Sequence, residues 1–147
     1  MIDNQTYGWL HDGVSLLLAP ALLALLAACA VAAVEAGIAV GERFSGLKKL
    51  RAAGNAAHVQ TLASHRLERA DLLARIPPML GLMATIIPLG PGLAALGQGN
   101  PAQLASAVTV AFDATVLGLV AGIAGLVIGK LRRRWYEETL DAMEQAA

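Results

Sequence analysis

The sequence predicts an all-α membrane protein with three transmembrane helices, an external N-terminus, an internal C-terminus, a helical cytoplasmic loop and a short C-terminal helix. Two long stretches, residues 14–34 and 76–112, contain no charged side chain. All eleven Lys and Arg residues lie within residues 43–75 and 130–134, beside the apolar stretches. The chain is 56% hydrophobic and 15% charged, whereas a soluble domain has about 25% charged residues. This composition favours a membrane protein over a soluble helical bundle.

The lengths of the apolar stretches place three spans. A bilayer core of about 30 Å needs about 20 helical residues, so we assign spans to residues 14–41, 76–97 and 104–130. The charge-free stretch from 76 is too long for one crossing and is broken by a turn at residues 98–103, which contains Gly, Asn and Pro. Because the bilayer core leaves backbone groups no water to bond, uninterrupted apolar stretches of this length are predicted to be helical.

The basic residues predict the orientation of these spans. Lys and Arg collect in cytoplasmic segments near span ends, so the loop 42–75 and the tail 131–147 are predicted inside. Residues 1–13, which contain acids and no Lys or Arg, and the 98–103 turn are then outside. A cleaved signal peptide is the alternative for the first span, but its flank would be basic and its apolar stretch shorter.

The segments outside the spans are predicted to be helical. In the loop 42–75, apolar residues recur among basic residues, with three-residue steps from Leu47 to Leu50 and from Val59 to Leu62, and Gly54-Asn55 marks a turn between two helical segments. The tail mixes basic and acidic residues in a way that suits a short amphipathic helix. The loop is therefore predicted to be a helical hairpin.

No residue pattern supports an enzyme, a metal centre or a bound cofactor. His11 is predicted to lie across the membrane from His58 and His65, so the three cannot share a metal. The chain has no phosphate-binding loop, no nucleophile elbow and only one cysteine, Cys29. With a formal net charge of zero, it shows no basic footprint for nucleic acid.

Polar groups inside the spans are the functional candidates, because they are costly in lipid. We single out Thr85, Thr115 and Asp113 as an ion pathway, although a membrane threonine commonly bonds back to its own helix. Asp113 lies about 160° around the helix from Thr115, so an ion-access role and a structural hydrogen bond both stay open. Glu35 is expected near the inner interface, paired with Arg43 or another loop base.

Small residues and prolines predict how the second and third spans pack. Pro77 and Pro78 suit a first helical turn, whereas Pro88 and Pro91 are expected to kink or end the second span. Gly81 is a predicted packing residue of that span. One narrow face of the third span is small enough for close helix contact; its residues are Ala111, Thr115, Gly118, Gly122, Gly125 and Gly129.

Two short motifs resemble the MotA/TolQ/ExbB proton channel family. PMLGLMAT at Pro78–Thr85 and AFDATVLGL at Ala111–Leu119 resemble the family's inner-helix patterns, P-L-L-G-L-L-G-T and A-L-x-x-T-x-x-G-L. The predicted order of spans and basic segments is similar to that of the ExbB and TolQ branch. The sequence departs from the family at Ala84, where Gly is usual, and at Val110, where many relatives carry an acid.

The resemblance implies an ion-driven motor subunit in the cytoplasmic membrane, the inner membrane of a prokaryote. It implies a homo-oligomer, with five copies expected, around two copies of a single-span partner similar to ExbD, TolR or MotB that brings the key membrane Asp. Thr85 and Thr115 map onto the family's pore-facing threonines, which would pass H⁺ or Na⁺. Lipid would surround the spans, and no cofactor is implied. A non-conducting scaffold or anchor and a small-substrate transporter are the alternative functions.

Overall fold

The computed structural model describes residues 13–41 and 56–145, and this part of the chain is built of three long helices. They are α1, Leu18–Gly41, α2, Ala56–Gly97, and α3, Pro101–Glu144. All three are long and apolar enough to cross a membrane, which confirms the predicted all-helical, three-span class. Gly54-Asn55, the predicted turn of the cytoplasmic loop, lies outside the described residues.

Helices α2 and α3 extend well beyond a single span. They contain 42 and 44 residues, which at 1.5 Å per residue is about 63 and 66 Å, roughly twice the thickness of a bilayer core. The described part of the loop, from Ala56, is therefore continuous with the second span. The tail likewise continues α3 to Glu144. It does not form the separate short helix that the sequence predicts.

The prolines of α2 do not mark its ends. Pro77, Pro78, Pro88 and Pro91 all lie inside the helix, so the first two do not form its first turn and the last two do not end it. The other expectation, that Pro88 and Pro91 kink the helix, stays a prediction. Each proline removes one backbone donor, which would break an isolated helix in water. Membrane helices tolerate this loss because neighbouring helices and Ser or Thr side chains satisfy the freed groups.

A tight turn joins α2 to α3. The amide of Gly99 donates to the Leu96 carbonyl at 2.9 Å and the amide of Asn100 donates to the Ala95 carbonyl at 2.9 Å, the two bonds of a Schellman motif. Gly99 has φ +80, which a glycine adopts without strain. Asn100 Oδ1 then accepts a bond from the amide of Gln103 at 3.3 Å, capping α3 just before Pro101.

Small residues are buried and large apolar residues are exposed. Ten of the fifteen buried hydrophobic residues in the described chain are alanines, so the helices pack through short side chains and approach one another closely. In α1 the buried positions are Ala21, Leu25, Ala32, Glu35 and Ala39. Together with the half-buried Ala28 they form a seven-residue repeat with alternating steps of four and three. Most of the exposed apolar side chains are Leu, Ile and Val, as expected for surfaces that meet lipid or other chains.

The chain divides into two compact units, each of which contains part of every helix. Of the described residues, the first unit comprises 13–29 with Pro77–Val120, and the second comprises 30–41 and 56–76 with 121–145. Leu25, Ala84 and Ala114 form a buried cluster in the first unit. A cluster of Ala39, Ala70 and Ile128 occupies the second unit. The candidate ion-pathway threonines lie in the first unit.

Candidate functional site

Two threonine hydroxyls meet between α2 and α3 in the first unit. Thr85 Oγ1 and Thr115 Oγ1 are 2.6 Å apart, and either can be the donor. Thr85 Oγ1 also lies 2.6 Å from the Gly81 carbonyl oxygen, and Thr115 Oγ1 lies 3.1 Å from the Ala111 carbonyl oxygen. The structure thus brings together two of the three predicted ion-pathway residues, and both are half-buried.

The threonine pair has more contacts than protons. Each hydroxyl has one hydrogen and can accept two bonds, but the pair makes one mutual contact and two contacts to carbonyls. Only two of these three contacts can hold a proton at a time. If Thr85 donates to Thr115, Thr115 donates to Ala111; if Thr115 donates to Thr85, Thr85 donates to Gly81. The pair therefore has two hydrogen-bond directions with the same heavy-atom positions.

Close approach of two backbones holds these hydroxyls in contact. A Cβ added to Gly118 would lie 2.6 Å from the Pro77 carbonyl oxygen and 3.1 Å from the Gly81 Cα. A Cβ added to Gly81 would lie 2.9 Å from the Ala114 carbonyl oxygen. Real Cβ atoms do not approach so closely, so only glycine fits at this crossing. Thr85 lies one turn after Gly81 in α2 and Thr115 lies one turn before Gly118 in α3. This close crossing therefore brings their hydroxyl oxygens within hydrogen-bond distance.

The other predicted packing glycines also lie on the buried side of α3. In the second unit, a Cβ added to Gly125 would lie 2.6 Å from both the Ala74 amide nitrogen and the Leu73 carbonyl carbon. Gly129 faces the Ala70 Cβ at 3.4 Å, and Gly122 is buried. The α2–α3 contact in this unit is therefore also a contact of backbones.

The structure does not bring Asp113 to the threonine pair. Asp113 is exposed, whereas its neighbour Ala114 is buried and Thr115 is half-buried. Within the described residues its carboxylate makes no hydrogen bond or ion pair. A carboxylate in a span costs about 2.5–3.5 kcal/mol even on insertion scales, so its side of α3 needs a polar neighbour.

A buried ion pair links the three helices within the second unit. Arg132 Nη1 of α3 donates to Glu35 Oε2 of α1 at 2.7 Å, and both side chains are almost fully buried. Arg69 of α2 lies 3.9 Å from the other oxygen of Glu35, with its own side chain exposed. The expected partner of Glu35 was a loop base. Arg69 is such a base and confirms this expectation, but a closer partner, Arg132, comes from the predicted tail. Arg43 lies outside the described residues.

The seven-residue repeat could have revealed this pair. Glu35 falls in the buried series of α1, seven residues from Ala28 and three from Ala32. Arg132 falls seven residues after Gly125 and fourteen after Gly118, positions that are buried throughout. A charged residue at a position where this repeat places small buried residues must also face inward. Because a buried charge is costly without an opposite charge, Glu35 and Arg132 each predict a buried partner of the other sign.

Comparison with known proteins shows the family of the chain that carries the threonine pair and the buried ion pair. Residues 43–145 match the model of the MotA/TolQ/ExbB proton channel family. The chain belongs to this family. No curated protein and no solved structure matches it.

Membership in the MotA/TolQ/ExbB family gives the three helices their context. The family match and the three long apolar helices together identify a multi-pass membrane protein. Its family is one of channel and stator subunits, not of enzymes. The match spans α2 and α3, which supply both threonines and both crossing glycines. The family's role as proton channel subunits of energy-transducing motors makes the hydroxyl pair the leading candidate site.

Proposed function

We propose that this chain is the channel subunit of an ion-driven membrane motor and that protons pass along the Thr85–Thr115 pair. The 2.6 Å contact between the two hydroxyls carries the proposal. Because the pair has two hydrogen-bond directions, a proton delivered to one hydroxyl can release another from the second, after which the bonds reverse. No backbone movement is needed for this step.

The same proposal includes an assembly. Several copies, with five expected, surround a single-span partner of the ExbD, TolR or MotB kind, whose membrane Asp exchanges protons with the threonine pair. The exposed Leu, Ile and Val side chains of the described helices are compatible with an assembly, because lipid and other copies are both suitable neighbours for them. We place the complex in the cytoplasmic membrane with the N-terminus outside, as the basic loop and tail favour.

Replacing Thr115 by valine is expected to lower proton flux by about tenfold or more, because the chain of hydroxyls is cut. The fold should persist. Without Thr115 Oγ1, the Thr85 hydroxyl still donates to the Gly81 carbonyl, so no buried group loses its only partner. Flux is measured in proteoliposomes with a pH-sensitive dye, after co-expression with the neighbouring single-span protein, and assembly is measured by native mass spectrometry.

Thr109→Val is the matched control for this experiment. Thr109 Oγ1 donates to the Ala105 carbonyl at 3.0 Å, the same local bond that Thr115 makes, but it has no threonine opposite. Thr109→Val should conduct as the unmodified protein does, and Thr115→Ser, which restores a hydroxyl, should recover flux. Full conduction by an assembled Thr115→Val protein would refute the relay and favour the non-conducting scaffold.

Asp113 is proposed as an access carboxylate of the same ion path, covered by another chain in the assembly. Asp113→Asn is expected to leave the oligomer intact, because an amide keeps most of the hydrogen bonding, but to lower flux because an amide does not carry a proton. The measurements are those used for Thr115. Normal flux in Asp113→Asn, together with loss of the oligomer in Asp113→Leu, would instead show a purely structural hydrogen bond.

A further inference from the structure

An open groove lies between α2 and α3 in the second unit. Its volume is about 360 Å³, within the range of about 300–1,000 Å³ for small-molecule sites. The floor includes Gly125, where the two backbones approach closely, and Gly129, which faces the Ala70 side chain. Charged residues of both signs line it as well: Glu68 and Asp71 from α2, with Lys130 and Arg133 from α3.

The charges around this groove are not satisfied by one another. Asp71 pairs along its own helix with Arg75 at 3.2 Å, and Arg133 pairs along its own helix with Glu137 at 3.1 Å. Both are exposed pairs, which contribute little to stability. Among the described residues neither Glu68 nor Lys130 makes an ion pair, although both line the same groove. A bound molecule with charges of both signs would satisfy them.

The groove lies where the spans change from apolar to charged. The contacts of Gly125 with Ala74, and of Gly129 with Ala70, place these parts of α2 and α3 side by side. Over that length α2 carries Asp71, whereas α3 is apolar until Lys130. A molecule in the groove would therefore meet hydrocarbon and charge together, as a lipid does at the membrane interface.

We infer that this groove binds a phospholipid whose headgroup carries both a phosphate and a primary ammonium, such as phosphatidylethanolamine. Lys130 and Arg133 supply donors for the phosphate. Glu68 and Asp71 accept hydrogen bonds from the ammonium. A phosphocholine headgroup cannot donate these bonds because its nitrogen has no hydrogen, and a phosphoglycerol headgroup has no ammonium. The first acyl carbons lie over the glycines of the floor. This site is separate from the threonine pair and does not depend on ion conduction.

The test is native mass spectrometry of the purified protein in detergent, titrated with three lipids that have the same acyl chains and phosphoethanolamine, phosphoglycerol or phosphocholine headgroups. We expect the phosphoethanolamine lipid to bind about fivefold more tightly than the other two, the effect of about one interfacial charge contact. Glu68→Gln should remove that preference, because it removes both an acceptor for the ammonium and a charge that repels the anionic phosphoglycerol lipid. Lys130→Gln should weaken both lipids, because both carry the phosphate.

Arg134→Gln and Glu138→Gln are the matched controls. Both residues are exposed on α3, neither lines the groove, and each substitution removes the same charge as its counterpart. They should leave all three affinities unchanged. Equal affinity for the three lipids, or equal losses in the control and groove variants, would overturn the proposal. An oligomer that retains no lipid at any concentration would also overturn it and would assign the groove to a second copy of the chain.

Discussion

The substitution Glu35→Ala is expected to destabilise the folded chain by about 3–5 kcal/mol, the usual cost of removing one partner of a buried ion pair. The cost arises because Arg132, only 1% exposed, would lose the carboxylate that lies 2.7 Å from its guanidinium group. Arg69 is too exposed to matter comparably. The free energy of unfolding is measured by denaturant titration of the protein in mild detergent, followed by circular dichroism.

Two further variants separate charge from packing. The double variant Glu35→Leu, Arg132→Met removes both charges while keeping apolar volume, and should regain most of the lost stability. Arg133→Gln breaks the exposed pair with Glu137 and should change stability by less than about 1 kcal/mol. A loss below about 1 kcal/mol for Glu35→Ala would mean that the ion pair is not buried in the folded protein.

Gly118→Ala is expected to disturb the ion path and the fold together. The new methyl group would lie 2.6 Å from the Pro77 carbonyl oxygen, a contact that backbone can relieve only if α2 and α3 move apart. Overpacking of this kind costs about 1–3 kcal/mol. The same movement would lengthen the 2.6 Å contact between Thr85 and Thr115. Both the free energy of unfolding and proton flux should fall, by the assays already described.

Gly37→Ala provides the comparison, because nothing lies within 4 Å of a Cβ at Gly37 and the next residue is Ile38, not a proline. An exposed helical glycine replaced by alanine should gain about 0.5–1 kcal/mol. If Gly37→Ala and Gly118→Ala lost the same stability, the flexibility of glycine would explain both effects and close approach would not. If Gly118→Ala unfolded less readily and conducted normally, the helix crossing would have to be looser than the structure has it.

The spans were predictable because they depend on one-dimensional properties. Length, hydropathy and the positions of Lys and Arg are sufficient to place three helices in a bilayer. The prolines were misjudged because their usual helix-ending effect is strongest for helices in water. Pro77, for example, lies inside α2 and is buried there. The environment of a proline, which the local sequence does not state, decides whether it ends a helix.

The candidate site was predicted as separate residues and not as a contact. Thr85 and Thr115 could each be chosen as costly polar groups, but their contact depends on the register of α2 against α3. That register is set by Gly81 and Gly118, whose backbones approach each other, and a single sequence does not specify which glycines pair. The Glu35–Arg132 pair was missed for the same reason, although the seven-residue repeat carried the information.

The burial of alanine and the exposure of leucine change how this protein should be mutated. An alanine scan would report little, because the commonest buried side chain is already alanine and truncating an exposed Leu leaves no internal cavity. The informative experiment is the reverse scan, in which buried small residues such as Ala84 or Ala114 are enlarged. The most informative substitutions therefore differ from those in a water-soluble core, where truncation of large buried side chains leaves costly cavities; here enlargement of small buried residues is the change that should be costly.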